Sequence, residues 1–300
     1  MRVFLTGATG FIGSRIVPEL IEAGHQVLGA TRSEAGAAEL EKAGAQAHRA
    51  TLEDPKTMAD GAAKADAVIH TAFDHDFSRF VENCEKDRRV IEAMGDALAG
   101  SGRPLIITSG VGLGSVEGGG LAREDVIDRK HANPRRASEL AGEAVAARGV
   151  SVAAMRLPQV HDTQRQGLVS PLIDHARQTG VSAYVGEGDN RMAAAHVSDV
   201  ARLYRLALDN HEAGVRWNGV AEEGVPVRDI AETIGKGLGV PVKSISPEEA
   251  ESHFGWLAMF AGMNMAASSA ITREKLGWEP TGPTLLEDLR NMDYDAAETT

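Results

Sequence analysis

The stretch Thr6-Gly7-Ala8-Thr9-Gly10-Phe11-Ile12-Gly13 follows the short apolar run Arg2 to Leu5 and leads into a segment of helical spacing. Its three glycines have different physical tasks. Gly7 permits the tight turn out of a strand, Gly10 lets the backbone approach a pyrophosphate, and Gly13 allows close packing of helix on strand. The helix N-terminus beyond them offers free N–H groups and a positive dipole end to an anion. A glycine pattern alone is weak evidence, but this one stands at the strand–helix junction that the chemistry requires. We read it as a dinucleotide cradle formed by Gly7, Thr9, Gly10, Phe11, Ile12 and Gly13.

Outward from the cradle, strand and helix signals alternate. The segments at 2–7, 25–32, 45–50, 66–72, 103–110 and 150–158 read as strands, and amphipathic segments with turn residues at their ends separate them. The segment 133–143, opening at Asn133-Pro134, reads as the helix before the sixth strand. Repeated strand–helix units imply a parallel sheet with helices on both faces, and ligands in such sheets bind beyond the strand carboxyl ends. The second half is less regular. A turn and amphipathic helix at 194–210, a capped helix at 225–239, and a strand followed by an apolar, Met-rich helical region at 241–265 are expected to decorate that carboxyl edge.

Bulk properties narrow the partners. The 300 residues suffice for one large or two modest domains, and a net charge of -12 argues against nucleic acid or an anionic membrane as the main partner. No run of 18 apolar residues occurs, so no membrane span is expected. Cys84 is the single cysteine, read as a helix residue rather than a nucleophile. Its solitude and the lack of a secretory signal lead to an expected cytoplasmic location. The ten histidines show no metal-ligand spacing, so no metal is expected.

The second strand ends in Thr31, Arg32 and Ser33, and the first acid, Glu34, comes late. An acid there would hold the ribose hydroxyls of NAD, whereas Arg suits the extra phosphate of NADP. Arg32 and Ser33 therefore favour NADP(H) over NAD(H).

The cradle, together with the strand ends at 68–72 and 105–110, the segments Ser138–Val145, Met155–His161 and Ala194–Leu208, and the closing Leu276–Pro280, resembles the extended and atypical short-chain dehydrogenases/reductases. That group includes the NAD-dependent epimerases and dehydratases. The resemblance covers Met1 to about Leu289 and implies a Rossmann doubly wound parallel sheet with a smaller, mostly C-terminal substrate-binding region. The expected division is 1–157, with 192–220 returning to it, for the dinucleotide domain, 158–191 and 221–295 for the substrate region, and 296–300 as a tail. It further implies cofactor contacts at Leu52, Thr71, Ala72 and Thr108, and the helices of such proteins often pair into homodimers.

In that family a Tyr and a Lys four residues later transfer the proton and hold the ribose. Here the matching positions carry Arg135 and Glu139, and none of Tyr184, Tyr204 and Tyr294 is followed four residues on by Lys. An exposed Arg135–Glu139 pair would contribute only about 0.3 kcal/mol, but near a cofactor Arg135 could hold a ribose, phosphate or carboxylate. It cannot act as a proton donor, because arginine does not deprotonate. Ser109 is the positional candidate for the family's catalytic Ser or Thr, and His161, just after the sixth strand, stands where the family often meets nicotinamide and substrate. His131, Asp74, His75 and Asp76 are further candidates, each with a surface or capping role as the alternative. His196 and Asp199 are expected to be structural.

The expected function is thus an NAD(P)H-dependent oxidoreductase acting on a small, fairly apolar carbonyl, alcohol or activated alkene. The alternative is a non-catalytic NADP-binding regulator or sensor, and the third is a sugar-nucleotide epimerase or dehydratase.

Overall fold

A computed structural model describes residues 1–116 and 118–295, so the expected tail at 296–300 lies outside the described residues. The first half alternates as β1 (Arg2–Thr6), α1 (Gly13–Glu22), β2 (Gln26–Thr31), α2 (Glu34–Lys42), β3 (Gln46–Arg49), α3 (Pro55–Ala63), β4 (Ala67–His70), α4 (Phe80–Leu98), β5 (Pro104–Gly110), α5 (Arg136–Ala146) and β6 (Ser151–Leu157). Helix α5 begins at Arg136, three residues later than the Asn133-Pro134 signal suggests, with Arg135 as its cap residue. The Asn133 side chain instead closes a local turn by accepting from the Arg135 N–H at 2.9 Å.

These strands join β10 (Arg216–Asn218) in a seven-stranded sheet of order β10-β6-β5-β4-β1-β2-β3. Every pairing in it is parallel. The order reverses beside β1, which places a crevice at the carboxyl ends of β1 and β4. Alternation along β1 explains how the sheet is covered. Val3 and Leu5 join a core with Ile16 and Leu20 of α1 and with Val200, Leu203 and Tyr204 of α7 (Val197–Asp209). Phe4 faces the other way, into a core with Val90, Ile91 and Met94 of α4 and Ala141 and Val145 of α5. Each buried side chain of this size stabilises the fold by roughly 1.5–3 kcal/mol, so both helical layers are held by burial rather than by helix propensity.

The later elements are β7 (Gln159–His161), α6 (Val169–Thr179), β8 (Ser182–Val185), β9 (Arg191–His196), β11 (Glu222–Pro226), α8 (Val227–Leu238), β12 (Val242–Ile245), α9 (Pro247–Phe254), α10 (Ala258–Ala261), α11 (Ala270–Leu276) and α12 (Leu285–Asn291). A small sheet of order β11-β9-β7 and a β12-β8 pair build a second core around Ile173, Met192, Val225, Ile230, Ile234, Leu285 and Leu289. The residues before α7, expected as a turn, are in fact the end of strand β9, which pairs with β7 through Ala194, Ala195 and His196. No helix among the described residues is long and apolar enough to cross a membrane.

Candidate active site at the carboxyl edge of the sheet

The cradle closes on itself. Gly7 has φ +66°, and a Cβ there would lie 2.8 Å from Thr71 Oγ1 and 2.9 Å from the Ala72 nitrogen; one on Gly13 would fall 2.0 Å from the Gly7 carbonyl oxygen. Thr6 ties this loop to the end of β4: its hydroxyl oxygen accepts from the Thr71 and Ala72 N–H groups, each at 3.1 Å. Helix α1 starts with no side-chain cap and no acid in its first turn. The Gly10, Ser14 and Arg15 N–H groups already donate to the carbonyls of Gly7, Gly10 and Ile12, so the Phe11, Ile12 and Gly13 N–H groups are the ones left for an anion. With the close approach that the glycine surface admits, these residues fit the pyrophosphate of a nicotinamide dinucleotide.

At the end of β2, Ser33 caps α2 by accepting from the Gly36 N–H at 3.0 Å. Glu34 pairs with Arg49 at 3.2 Å, while Arg32 is exposed and has no ion pair among the described residues. Leu52 is half-buried against the sheet core.

At the end of β5, the Thr108 hydroxyl donates to the His70 carbonyl at 2.7 Å, so the contact with the buried Tyr204 hydroxyl at 2.6 Å must be donated by Tyr204. Burial pushes the Tyr204 phenol far above its ordinary pKa, and its side chain is enclosed in the core with its hydroxyl committed to Thr108. Ser109 donates to Glu139 Oε1 at 2.6 Å. Glu139 also takes Arg156 in a two-point contact at 2.7 and 2.8 Å, and Arg216 at 3.0 Å. Desolvation opposes ionisation of Glu139, but Arg156, Ser109 and Arg216 outweigh it and lower its pKa. The carboxylate at the family's Lys position is therefore the centre of a buried ion-pair cluster rather than a surface partner of Arg135.

Arg135 turns the other way. Its Nη1 donates to Asp87 Oδ2 and to Ser138 Oγ, each at 2.6 Å, and Nη2 donates to the Thr108 carbonyl at 3.0 Å. The guanidinium lies 4.0 Å above the Phe73 ring. Asp87 is the hub: its other oxygen takes His70 Nε2 at 2.9 Å, and His70 Nδ1 meets Thr6 Oγ1 at 2.7 Å. Because Asp87 can only accept, Nε2 carries the proton and Nδ1 accepts from Thr6. Desolvation would raise the Asp87 pKa, yet Arg135, His70 and Ser138 hold it down at about 2. This chain from β1 through β4 and α4 to α5 was not anticipated, since nothing in the local pattern of α4 marks Asp87.

The loop after β4 forms an apolar roof. Phe73 meets His75 and Phe80 at ring-centre distances of 5.3 and 6.2 Å. Phe77 stacks on Trp256 at 4.8 Å and 10°, with Phe260 edge-on at 6.1 Å. The Met-rich segment thus reaches the strand-end loop. His75 is exposed, yet desolvation by the surrounding protein lowers its pKa, and Arg135 lowers it further. Asp74 pairs with Lys86 at 2.9 Å, and Asp76 caps a turn at Ser78.

His161 is the last residue of β7 and is fully enclosed there rather than open to the cleft. Its Nδ1 contacts Asp288 Oδ2 at 2.7 Å, and Nε2 is 4.0 Å from Glu222. His131 accepts from the Asn133 N–H in a local turn. Asp199 accepts from the Thr281 and Gly282 N–H groups at 3.0 and 2.8 Å, tying the segment after α11 to α7. Among the described residues, no group of three or more His, Cys, Asp or Glu is arranged to hold a metal ion.

A seven-stranded parallel sheet, a glycine cradle at its switch point and a strand-end cleft define a nicotinamide-dependent enzyme of the short-chain dehydrogenase/reductase type. The sequence model of the NAD dependent epimerase/dehydratase family matches residues 3–218, and the chain belongs to that family. It is 46% identical to an uncharacterised protein of Schizosaccharomyces pombe, over 98% of this chain and all of the relative. It is 30% identical to a 2-alkyl-3-oxoalkanoate reductase of Stenotrophomonas maltophilia, over 80% of this chain and 77% of that one. The fold matches a Thermus thermophilus UDP-glucose 4-epimerase in complex with NAD, with TM-score 0.72, 21% identity and 97% of each chain covered.

Proposed function

We propose that the protein is an NAD(P)H-dependent oxidoreductase acting on a small, fairly apolar carbonyl, alcohol or activated alkene, with NADP(H) preferred to NAD(H). The observation that carries this reading is the cradle opening onto the same sheet edge as the aromatic roof of Phe73, Phe77, Trp256 and Phe260. The bound dinucleotide supplies or accepts the hydride. Gly7, Thr9, Gly10, Phe11, Ile12 and Gly13 seat the pyrophosphate, Arg32 and Ser33 meet the ribose phosphate, and Leu52, Thr71, Ala72 and Thr108 border the remainder. Arg135 suits contact with substrate best of the three catalytic candidates. Ser109, whose proton goes to Glu139, offers only lone pairs, and the enclosed His161 has a supporting part. The name of the Stenotrophomonas maltophilia reductase is consistent with carbonyl reduction. A cytoplasmic homodimer completes the reading.

The buried commitment of Ser109 and Glu139 favours one second reading, a non-catalytic NADP-binding regulator. Incubating the purified chain with NADPH and a broad panel of carbonyls and enones separates the two. Substrate-dependent NADPH oxidation is expected; tight NADPH binding with no consumption across the panel would establish the regulator instead.

A further inference from the structure

We infer that the substrate carries a carboxylate, held by Arg135, at one end of an apolar body whose carbonyl is the group reduced. This deepens the oxidoreductase reading and rests on it.

The first support is the state of the guanidinium. Its hydrogen bonds to Asp87, Ser138 and the Thr108 carbonyl use Nη1 and one proton of Nη2. The Nε proton and the second Nη2 proton have no partner among the described residues. Two donors on a planar group fixed from behind match the two oxygens of a carboxylate. A guanidinium held at four points loses little side-chain freedom on binding, so the contact is pre-organised.

The second support is the surroundings. Arg135 lies on the Phe73 face at 4.0 Å, and Phe73 leads through Phe80 and Phe77 to Trp256 and Phe260. A charged head beside a continuous aromatic wall suits an amphiphile, such as a short oxo acid, better than a neutral polar sugar. The third is the local field. Although the chain carries a net charge of -12, desolvation and then Arg135 lower the His75 pKa, with Arg165 adding to the effect. The nearby acid, Asp74, is engaged by Lys86. Asp87 cancels the Arg135 charge at long range, so Arg135 selects an anion in contact rather than steering one from solution.

The reduced dinucleotide, when bound, would supply the hydride to the carbonyl carbon and be left oxidised; the carbonyl oxygen takes its proton from water, which leaves as hydroxide to solvent. The carboxylate stays ionised throughout.

The test compares acetoacetate with ethyl acetoacetate, and levulinate with methyl levulinate, as oxidants of NADPH. Calorimetry on the NADP-saturated protein compares hexanoate with hexanol. Wild type is expected to prefer acid to ester about 10- to 100-fold in kcat/KM and to bind hexanoate the more tightly. Arg135→Met should bring both ratios close to one while leaving the NADPH Kd unchanged. Because that change strands Asp87, the double variant Arg135→Met with Asp87→Asn gives the same comparison without a buried lone charge. Equal handling of acid and ester, with equal hexanoate and hexanol binding, overturns the inference and leaves the oxidoreductase reading intact. A weakened NADPH Kd with the acid preference retained also overturns it, by assigning Arg135 to the cofactor. If no carbonyl oxidises NADPH, the oxidoreductase reading fails, and the hexanoate–hexanol comparison still decides whether Arg135 holds an acid.

Discussion

The Ser109 hydroxyl and the Glu139 carboxylate lie 2.6 Å apart at the junction of β5 and α5, and the proton between them belongs to a cluster closed by Arg156 and Arg216. Arg156 is fully buried, so removing the charge of Glu139 leaves a cation without its main counter-ion. Glu139→Gln is expected to cost about 3–5 kcal/mol, visible as a fall in thermal midpoint. Glu139→Lys, which restores the residue type of the family pattern, should be worse, because it sets three cations together. Wild-type stability in Glu139→Lys would refute this account.

The proposed preference for NADP(H) rests on Arg32 meeting the ribose phosphate. Arg32→Ala should weaken NADPH binding by about 10- to 100-fold, the range of one or two charge-assisted hydrogen bonds, while NADH binding changes little. Parallel titrations with both dinucleotides check this, and an equal loss for both would assign Arg32 no part in the choice.

The cradle has no room at Gly13. Gly13→Ala puts a methyl group 2.0 Å from the Gly7 carbonyl oxygen, so α1 or the loop must move. Loss of dinucleotide binding is expected together with a lower thermal midpoint; unchanged binding of NADPH and NADH would contradict it.

Trp256 is 46% exposed, whereas Trp217 and Trp278 are each 1% exposed. Acrylamide should therefore quench one component of the tryptophan emission, and Trp256→Phe should abolish that component while preserving a ring against Phe77. A quenchable fraction that survives the substitution would mean that the roof is looser than its 4.8 Å stacking indicates.

Burial lowers the His161 pKa from its ordinary 6.5, against the opposing effect of Asp288. A histidine with a depressed folded-state pKa binds fewer protons when folded than when unfolded. Its contribution is complete above the unfolded value and is lost as pH falls through the folded one. Thermal midpoints should accordingly drop below pH 6.5, and His161→Gln should flatten part of that drop. His75, His175 and His211 have the same direction of shift and add to the drop, and the lowered carboxylates of Asp87 and Glu139 extend it at more acid pH.

Much of the architecture was legible because it depends on local pattern. The glycine spacing at 7, 10 and 13 and the apolar run that precedes it are set by neighbours in sequence, and the parallel sheet follows from the repetition of strand–helix units. Strand β9 was harder to see because its Ala-rich run lacks β-branched residues and merges with the α7 signal. The site was less legible than the fold. The partners of Glu139 lie 17, 30 and 77 residues away in the chain, and no periodicity encodes a pairing of that range. Asp87 and His70 look like an ordinary helix acid and an ordinary strand residue until α4, α5 and β4 pack together.

The chain leaves the main sheet after β6 and returns at β10, which is hydrogen-bonded to β6 through Trp217 and Met155. The excursion departs from and arrives at adjacent strands, so the sheet holds its ends together, and its last helix, α7, packs back on the main sheet through Val200, Leu203 and Tyr204. Lengthening or exchanging such an excursion adds little closure entropy, roughly 0.6 kcal/mol per doubling. The sheet therefore serves as a fixed socket for an interchangeable head: new ligand chemistry can be fitted at β7 through α6 without rebuilding the cradle that makes hydride exchange possible.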